Sequence, residues 1–144
     1  MAVTYTNNWK NILTALKSKI RAEMKCPVFS NWEETSKSNQ FVRLIPSGSE
    51  QGDVTKFSEH RTFNVDLQYL FLKRSNTNFQ DYVLNQVSIL EALIHDNPTL
   101  SLANSTTAYN VMIGDVEFNV EDEEYEDYFI AGWDFSCEHL SNLG

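Results

Sequence analysis

The sequence predicts an α+β fold, a mostly antiparallel β-sheet with two amphipathic helices packed on one face. Two segments carry apolar residues at helical spacing, and several others alternate apolar and polar residues as half-buried strands do. The strand-like segments cluster along the chain instead of alternating regularly with the helices, which favours antiparallel pairing. Since 144 residues suit one core, we expect one domain over residues 1–144.

Both helices have recognisable ends. The first is expected from Asn8 to Lys25, with Asn7 or Thr6 as its N-cap and Pro27 beyond its end. Its apolar stripe comprises Trp9, Ile12, Leu13, Leu16 and Ile20. The second is expected between residue 78, an asparagine suited to an N-cap, and the Asn-Pro pair at 97–98.

Strands are predicted at 28–32, at 39–45 where Pro46 follows, and at 60–72. The polar segment 47–53 contains two glycines and is predicted to be a mobile loop. In the 60–72 strand, Leu70 and Leu72 make the far end apolar on both faces. We therefore expect another part of the chain to cover that end.

The second half of the chain adds two more predicted strands. Residues 110–120 have strand character, with a turn or bulge at the Gly-Asp pair 114–115. Residues 129–137 alternate as a last long strand, and the polar segment 99–108 is predicted to be a connection.

The composition excludes several classes of protein. The formal net charge of −9 argues against a general nucleic-acid binder, because such proteins need cations that displace phosphate counterions. We expect no secretory signal and no membrane association, since no apolar run reaches the ~18–20 residues of a membrane span. Cys26 and Cys137 fit a reducing compartment and structural burial.

No catalytic motif is present, so we expect no enzyme activity and no cofactor. The histidines at 60, 95 and 139 are isolated in sequence and are expected at the surface or at helix ends, not as metal ligands. A calcium loop starting at Asp115 would place Val120 where the sharp turn needs glycine, and residues 116–120 alternate as a strand. We therefore predict no metal site.

The charges are unevenly distributed. All 11 basic residues lie at or before Arg74 with 7 acidic residues, giving +4, whereas residues 75–144 hold 13 acidic residues and no lysine or arginine, giving −13. Six carboxylates crowd into residues 121–127. This segment is either a solvated hairpin loop or an acidic rim, and the polarity favours head-to-tail contacts between copies.

Four segments together resemble the tail terminator and tail-completion proteins of long-tailed bacteriophages. They are WKNIL at 9–13, RTFNVDLQY at 61–69, DYVLNQV at 81–87 and FIAGWDF at 129–135. Their order and lengths carry the resemblance, which covers most of the chain. Small neck and head-completion proteins look similar.

The resemblance implies a structural virion protein, assembled in the host cytoplasm. Such proteins form a ring, usually six-fold, that ends polymerisation of the tail tube and joins the tail to the neck. The implied partners are further copies, the tube protein and a neck or head-completion protein, while DNA passes through the pore without specific binding. A different class, an acidic DNA mimic or a protein that sequesters a basic partner, is the alternative.

The polarity supplies candidate interface residues between subunits. Exposed ion pairs steer and register such contacts more than they hold them. The basic candidates are Arg43, Lys56, Arg61, Lys73 and Arg74. The acidic candidates are Glu121, Asp122, Glu123, Glu124, Glu126 and Asp127.

Overall fold

The computed structural model describes residues 6–30, 38–55, 58–74 and 78–142. Within these ranges, two helices accompany a sheet of seven strands. The helices are α1 (Asn8–Met24) and α2 (Phe79–His95). The strands are β1 (Val28–Phe29), β2 (Gln40–Val54), β3 (Ser58–Leu72), β4 (Leu100–Ser101), β5 (Thr107–Ile113), β6 (Glu117–Phe118) and β7 (Tyr128–Asn142).

The predicted fold class is confirmed. The strands run in the order β1-β2-β3-β7-β5-β4, with β6 pairing beside β5 on β7. Every pairing is antiparallel except that of β1 with β2. Helix α1 contacts both β1 and β4, which stand at opposite ends of this order. The sheet therefore curls around α1.

Both helices match their predicted bounds within two residues. The Asn7 side chain accepts a hydrogen bond from the Lys10 backbone N–H at 3.0 Å, which caps α1. Lys25 ends α1 in the left-handed region at φ 55°, and its N–H bonds to the Arg21 carbonyl oxygen. The buried stripes are Ile12, Leu16, Ile20 and Met24 on α1 and Val83, Val87, Leu90 and Ile94 on α2.

Strand β2 continues through Pro46, so the predicted strand end and the loop at 47–53 are wrong. The Val42 N–H donates to the Pro27 carbonyl oxygen, on the side away from β3. The backbone nitrogen of Pro46 points to the same side, because the register between β2 and β3 is unshifted from Val42 to Pro46. Strand β1 does not extend far enough to pair with Pro46 there. A proline costs no ladder hydrogen bond there, and a register shift between Pro46 and Gly48 absorbs the irregularity.

The segment 99–108 is also more regular than predicted. Its Leu100 and Ser101 form β4, which pairs with the first residues of β5, and Leu100 and Leu102 are buried. The predicted irregularity at 114–115 is confirmed, since β5 ends at Ile113 and β6 begins at Glu117. Segment 31–37, which includes the end of the strand predicted at 28–32, lies outside the described residues.

Apolar residues are buried on both faces of the sheet. Phe63, Val65 and Leu67 belong to the main core beneath α1 and α2, on what we call the helix-covered face. Phe41, Leu70, Ile130 and Tyr125 form a smaller core on the opposite, helix-free face. The expected cover over Leu70 is confirmed, because Tyr125 of the segment before β7 packs there.

His139 is only 2% exposed, which contradicts its expected place at the surface or a helix end. Its ring lies between two hydroxyls: Nε2 is 2.9 Å from Thr106 Oγ1 and Nδ1 is 3.1 Å from Ser141 Oγ. Ser141 Oγ also accepts from Asn8 Nδ2 at 2.8 Å. The histidine thus connects β7 to the start of α1 and to the segment between β4 and β5.

Candidate assembly surfaces

The acidic segment, residues 121–127, is anchored by its one aromatic side chain. Tyr125 is 4% exposed and its ring lies 5.6 Å from that of Phe41 and 5.5 Å from that of Tyr128. The Arg43 guanidinium lies over the Tyr125 ring, 5.0 Å from its centroid. The segment is therefore attached to the helix-free face and is not a solvated loop along its whole length.

A single ion pair turns one carboxylate of this segment inward. Arg43 Nη2 lies 3.2 Å from Asp122 Oδ2, and Asp122 Oδ1 accepts a hydrogen bond from the Glu124 backbone N–H at 3.0 Å. This bond caps the 3-10 turn Glu123–Tyr125. The outward-facing members of the acidic segment are Glu121, Glu123, Glu124, Glu126 and Asp127, all exposed.

Two other basic candidates also contact groups of their own chain. Lys73 Nζ donates to the Glu126 carbonyl oxygen at 3.1 Å, and the Lys73 backbone N–H donates to the Asp127 carbonyl oxygen at 2.9 Å. Arg61 Nε lies 2.5 Å from Glu59 Oε1. Arg74 is exposed and forms no ion pair among the described residues, while Lys56 lies outside them.

The helix-free face carries further acidic charge. Asp66 on β3 is directly opposite Asp134 on β7, and Glu117 on β6 is opposite Gly132 on that same face. Burial, reinforced by the Asp134 carboxylate, raises the pKa of Asp66 above its usual 3.8. Like charges placed directly opposite destabilise a sheet, so this pair weakens the isolated chain.

Asp66→Asn is expected to raise the free energy of unfolding at pH 7 by a few tenths of a kcal/mol, roughly the size of a cross-strand charge pair. Because the folded pKa is raised, the ionised carboxylate destabilises the folded state above that pKa. The gain should shrink as the pH falls towards 4 in urea titrations. A loss at pH 7, or a gain independent of pH, would contradict the repulsion.

Basic side chains that form no ion pair with a described residue lie along α1 and at its C-terminal end. Lys17, Arg21 and Lys25 line a surface groove of about 460 Å³ together with residues 26–29. None of these three side chains forms an ion pair with a described residue. We call this feature the basic groove. Its signal in the sequence is a basic residue at every fourth position.

An apolar groove lies on another part of the surface. Phe79, Val83 and Leu84 of α2 face Phe118 and Phe129 across about 350 Å³. Phe118 is 42% exposed and Leu84 is 40% exposed. Apolar side chains at this level of exposure are typical of contact surfaces when they are contiguous.

The described residues offer little for covalent or metal chemistry. Burial raises the pKa of the Cys137 thiol to about 12, so it is protonated and unreactive at neutral pH. Within the described residues, no three His, Cys, Asp or Glu side chains cluster as metal ligands, and the calcium frame places Glu117 in a strand. None of the described helices has the length and apolar character of a membrane span.

The fold is shared with a chain of a gene transfer agent virion and with a chain of a contractile injection system. No family model and no curated protein sequence matches the chain. Among solved structures, a chain in the virion of a native gene transfer agent particle aligns with a TM-score of 0.61 and 9% identity, covering 95% of this chain and 100% of that one. A sheath/tube terminator of an extracellular contractile injection system aligns with a TM-score of 0.58 and 12% identity, covering 99% of this chain and 58% of that one.

Proposed function

We propose that this chain is a tail terminator, a structural protein that forms a ring on the end of a tail tube and stops its polymerisation. The observation that carries the proposal is the alignment of 99% of the chain with a protein described as a sheath/tube terminator. The alignment with a gene transfer agent virion component supports the same particle class. The ring would also be the docking surface for a neck or head-completion protein.

The charge distribution supports assembly into a ring. The basic groove is formed by α1 and by residues 26–29, whereas the acidic segment is anchored through Tyr125 on the helix-free face. Two different, complementary surfaces on one subunit favour heterologous contacts, which close into a ring when the rotation permits. The exposed apolar side chains near Phe118 can add the contact area that surface ion pairs lack.

Transit of DNA through such a ring fits the acidic character of the helix-free face. Asp66, Glu117 and Asp134 share that face by strand register. Carboxylates that line a lumen do not displace the counterions bound to the DNA phosphates, so the lumen gains no affinity for DNA from counterion release. A subunit that turned this face inward would let DNA pass without retaining it.

Tube polymerisation tests the proposal directly. Purified tube protein of the same particle is polymerised alone and with this chain, and tube lengths are measured in electron micrographs. We expect tubes to shorten as the chain is added, with one extra ring at one end. A gold label on the chain should mark that end.

The contrary results are equally specific. Tubes of unchanged length with no label at their ends would contradict the terminator. Label on isolated heads but not on tubes would favour the head-completion alternative. Capture of a basic DNA-binding protein with no effect on tubes would favour the acidic mimic.

A further inference from the structure

We propose that the basic groove of α1 binds the acidic segment of a second copy of this chain. The interface would join Lys17 and Arg21 of one subunit to Glu123 and Glu124 of its neighbour. This inference rests on the proposed ring, and it names the contact that would register the subunits. It replaces Arg43, Arg61 and Lys73 as the basic side of the contact, because those residues already contact groups of their own chain.

The groove presents charge that no described residue of its own chain neutralises through an ion pair. Lys17 and Arg21 lie one turn apart on α1, and Lys25 follows four residues later as its C-cap. Like charges at this spacing destabilise a helix, although the helix dipole favours cations near its C-terminal end. No carboxylate of the described part of the chain lines the groove. An acidic partner would convert this repulsion into attraction.

The acidic segment has the complementary properties. Glu123 and Glu124 are exposed on a 3-10 turn, and neither carboxylate is used by the contacts that hold the turn. Tyr125, beneath them, is buried against Phe41, and Asp122 is paired with Arg43. The two carboxylates are thus displayed on a fixed backbone, which lowers the entropy cost of binding.

The two surfaces do not meet within one chain. The buried side of α1 shares the main core with Val42 and Leu44, whereas Tyr125 packs on Phe41, which points to the other face of β2. No ion pair joins the basic groove to the acidic segment. Their contact therefore requires a second copy, and it is heterologous, as a ring requires.

Self-association through this contact should depend strongly on salt concentration. Exposed ion pairs contribute about 0–1 kcal/mol each, and the screening length falls from about 30 Å at 0.01 M salt to about 3 Å at 1 M. We expect the wild-type protein, at about 100 μM, to self-associate at about 20 mM salt and to dissociate at about 500 mM in sedimentation velocity.

Charge reversal identifies the surfaces. Lys17→Glu with Arg21→Glu should weaken self-association at low salt by at least about tenfold, and so should Glu123→Lys with Glu124→Lys. The matched control is Lys10→Glu with Lys19→Glu, which makes the same charge change on exposed α1 positions outside the groove. An equimolar mixture of the two reversed variants should regain association, because each reversed surface then meets its complement.

Several outcomes would overturn the inference. They are a wild type that stays monomeric at low salt, a groove variant that matches the control, and a mixture without rescue. Loss of binding to duplex DNA by the groove variant, with unchanged self-association, would make nucleic acid the occupant. If groove and control variants both terminate tubes normally, the proposed function stands and this contact fails. If the wild type, the groove variant and the control variant all leave tube length unchanged while the mixture of reversed variants regains association, the contact stands and the proposed terminator function fails.

Discussion

Tyr125→Ala should lower the free energy of unfolding by about 3–5 kcal/mol, the range for removing a buried aromatic side chain. Tyr125 is 4% exposed and covers Phe41, Leu70 and Ile130, each of which is fully buried. Removal of the ring opens this smaller core to water and removes the surface over which the Arg43 guanidinium lies. Urea unfolding measures the change, and a loss of less than about 1 kcal/mol would contradict this role.

The variant also tests how the acidic segment is held. Tyr125→Phe keeps the ring, so its cost should be about 1 kcal/mol or less, the usual net value of one hydrogen bond. Tyr125→Ala should increase hydrogen exchange at the backbone N–H of position 125, which in the wild type donates to the Asp122 carbonyl oxygen. If exchange there is unchanged, the Arg43–Asp122 pair suffices to hold the segment, and the aromatic anchor is redundant.

Sequence reasoning predicted the need for this cover but not the residue that supplies it. Leu70 and Leu72 indicated an apolar end on both faces of β3. Tyr125 is one aromatic residue among six carboxylates in seven positions, and such a segment has no apolar periodicity to mark its burial. Its position depends on tertiary packing against Phe41, far away in the chain.

The ion pair of Arg43 illustrates the same limit. Arg43 pairs with Asp122 across 79 positions of sequence, a contact that follows from the register of β2, β3 and β7 and not from local pattern. The helices, in contrast, were predictable because caps, apolar stripes and stops are local signals. The strand through Pro46 was missed because edge position, which makes proline acceptable there, is a property of the whole sheet.

The buried histidine gives the second prediction of large effect. In the network around His139, Thr106 Oγ1 is 2.6 Å from Asn104 Oδ1, which can only accept. Thr106 Oγ1 must then accept from His139 Nε2–H. Ser141 Oγ already accepts from Asn8 Nδ2, so its proton is free to bond His139 Nδ1. The arrangement therefore selects the neutral ring protonated on Nε2.

Acidification should therefore destabilise the protein. Burial holds the pKa of His139 below its usual 6.5. A depressed pKa in the folded state means that the unfolded chain binds the proton more readily. The contribution of the neutral His139 ring to the free energy of unfolding is therefore fully present above about pH 6.5 and declines as the pH falls below that value. The carboxylates of Glu59 and Glu138, whose pKa values are lowered from 4.5, contribute their own loss only at lower pH.

Two substitutions separate the titration of His139 from its packing. His139→Ala should cost about 2–4 kcal/mol at neutral pH, because it leaves a cavity and removes one hydrogen bond from each of two hydroxyls. His139→Gln retains a polar group that cannot titrate, so its stability should change less than that of the wild type between about pH 7.5 and about pH 5. Parallel pH dependence in the wild type and in His139→Gln would assign the loss to other groups. The network joins α1, β7 and the segment before β5, so protonation of His139 would loosen the closure of the sheet around α1.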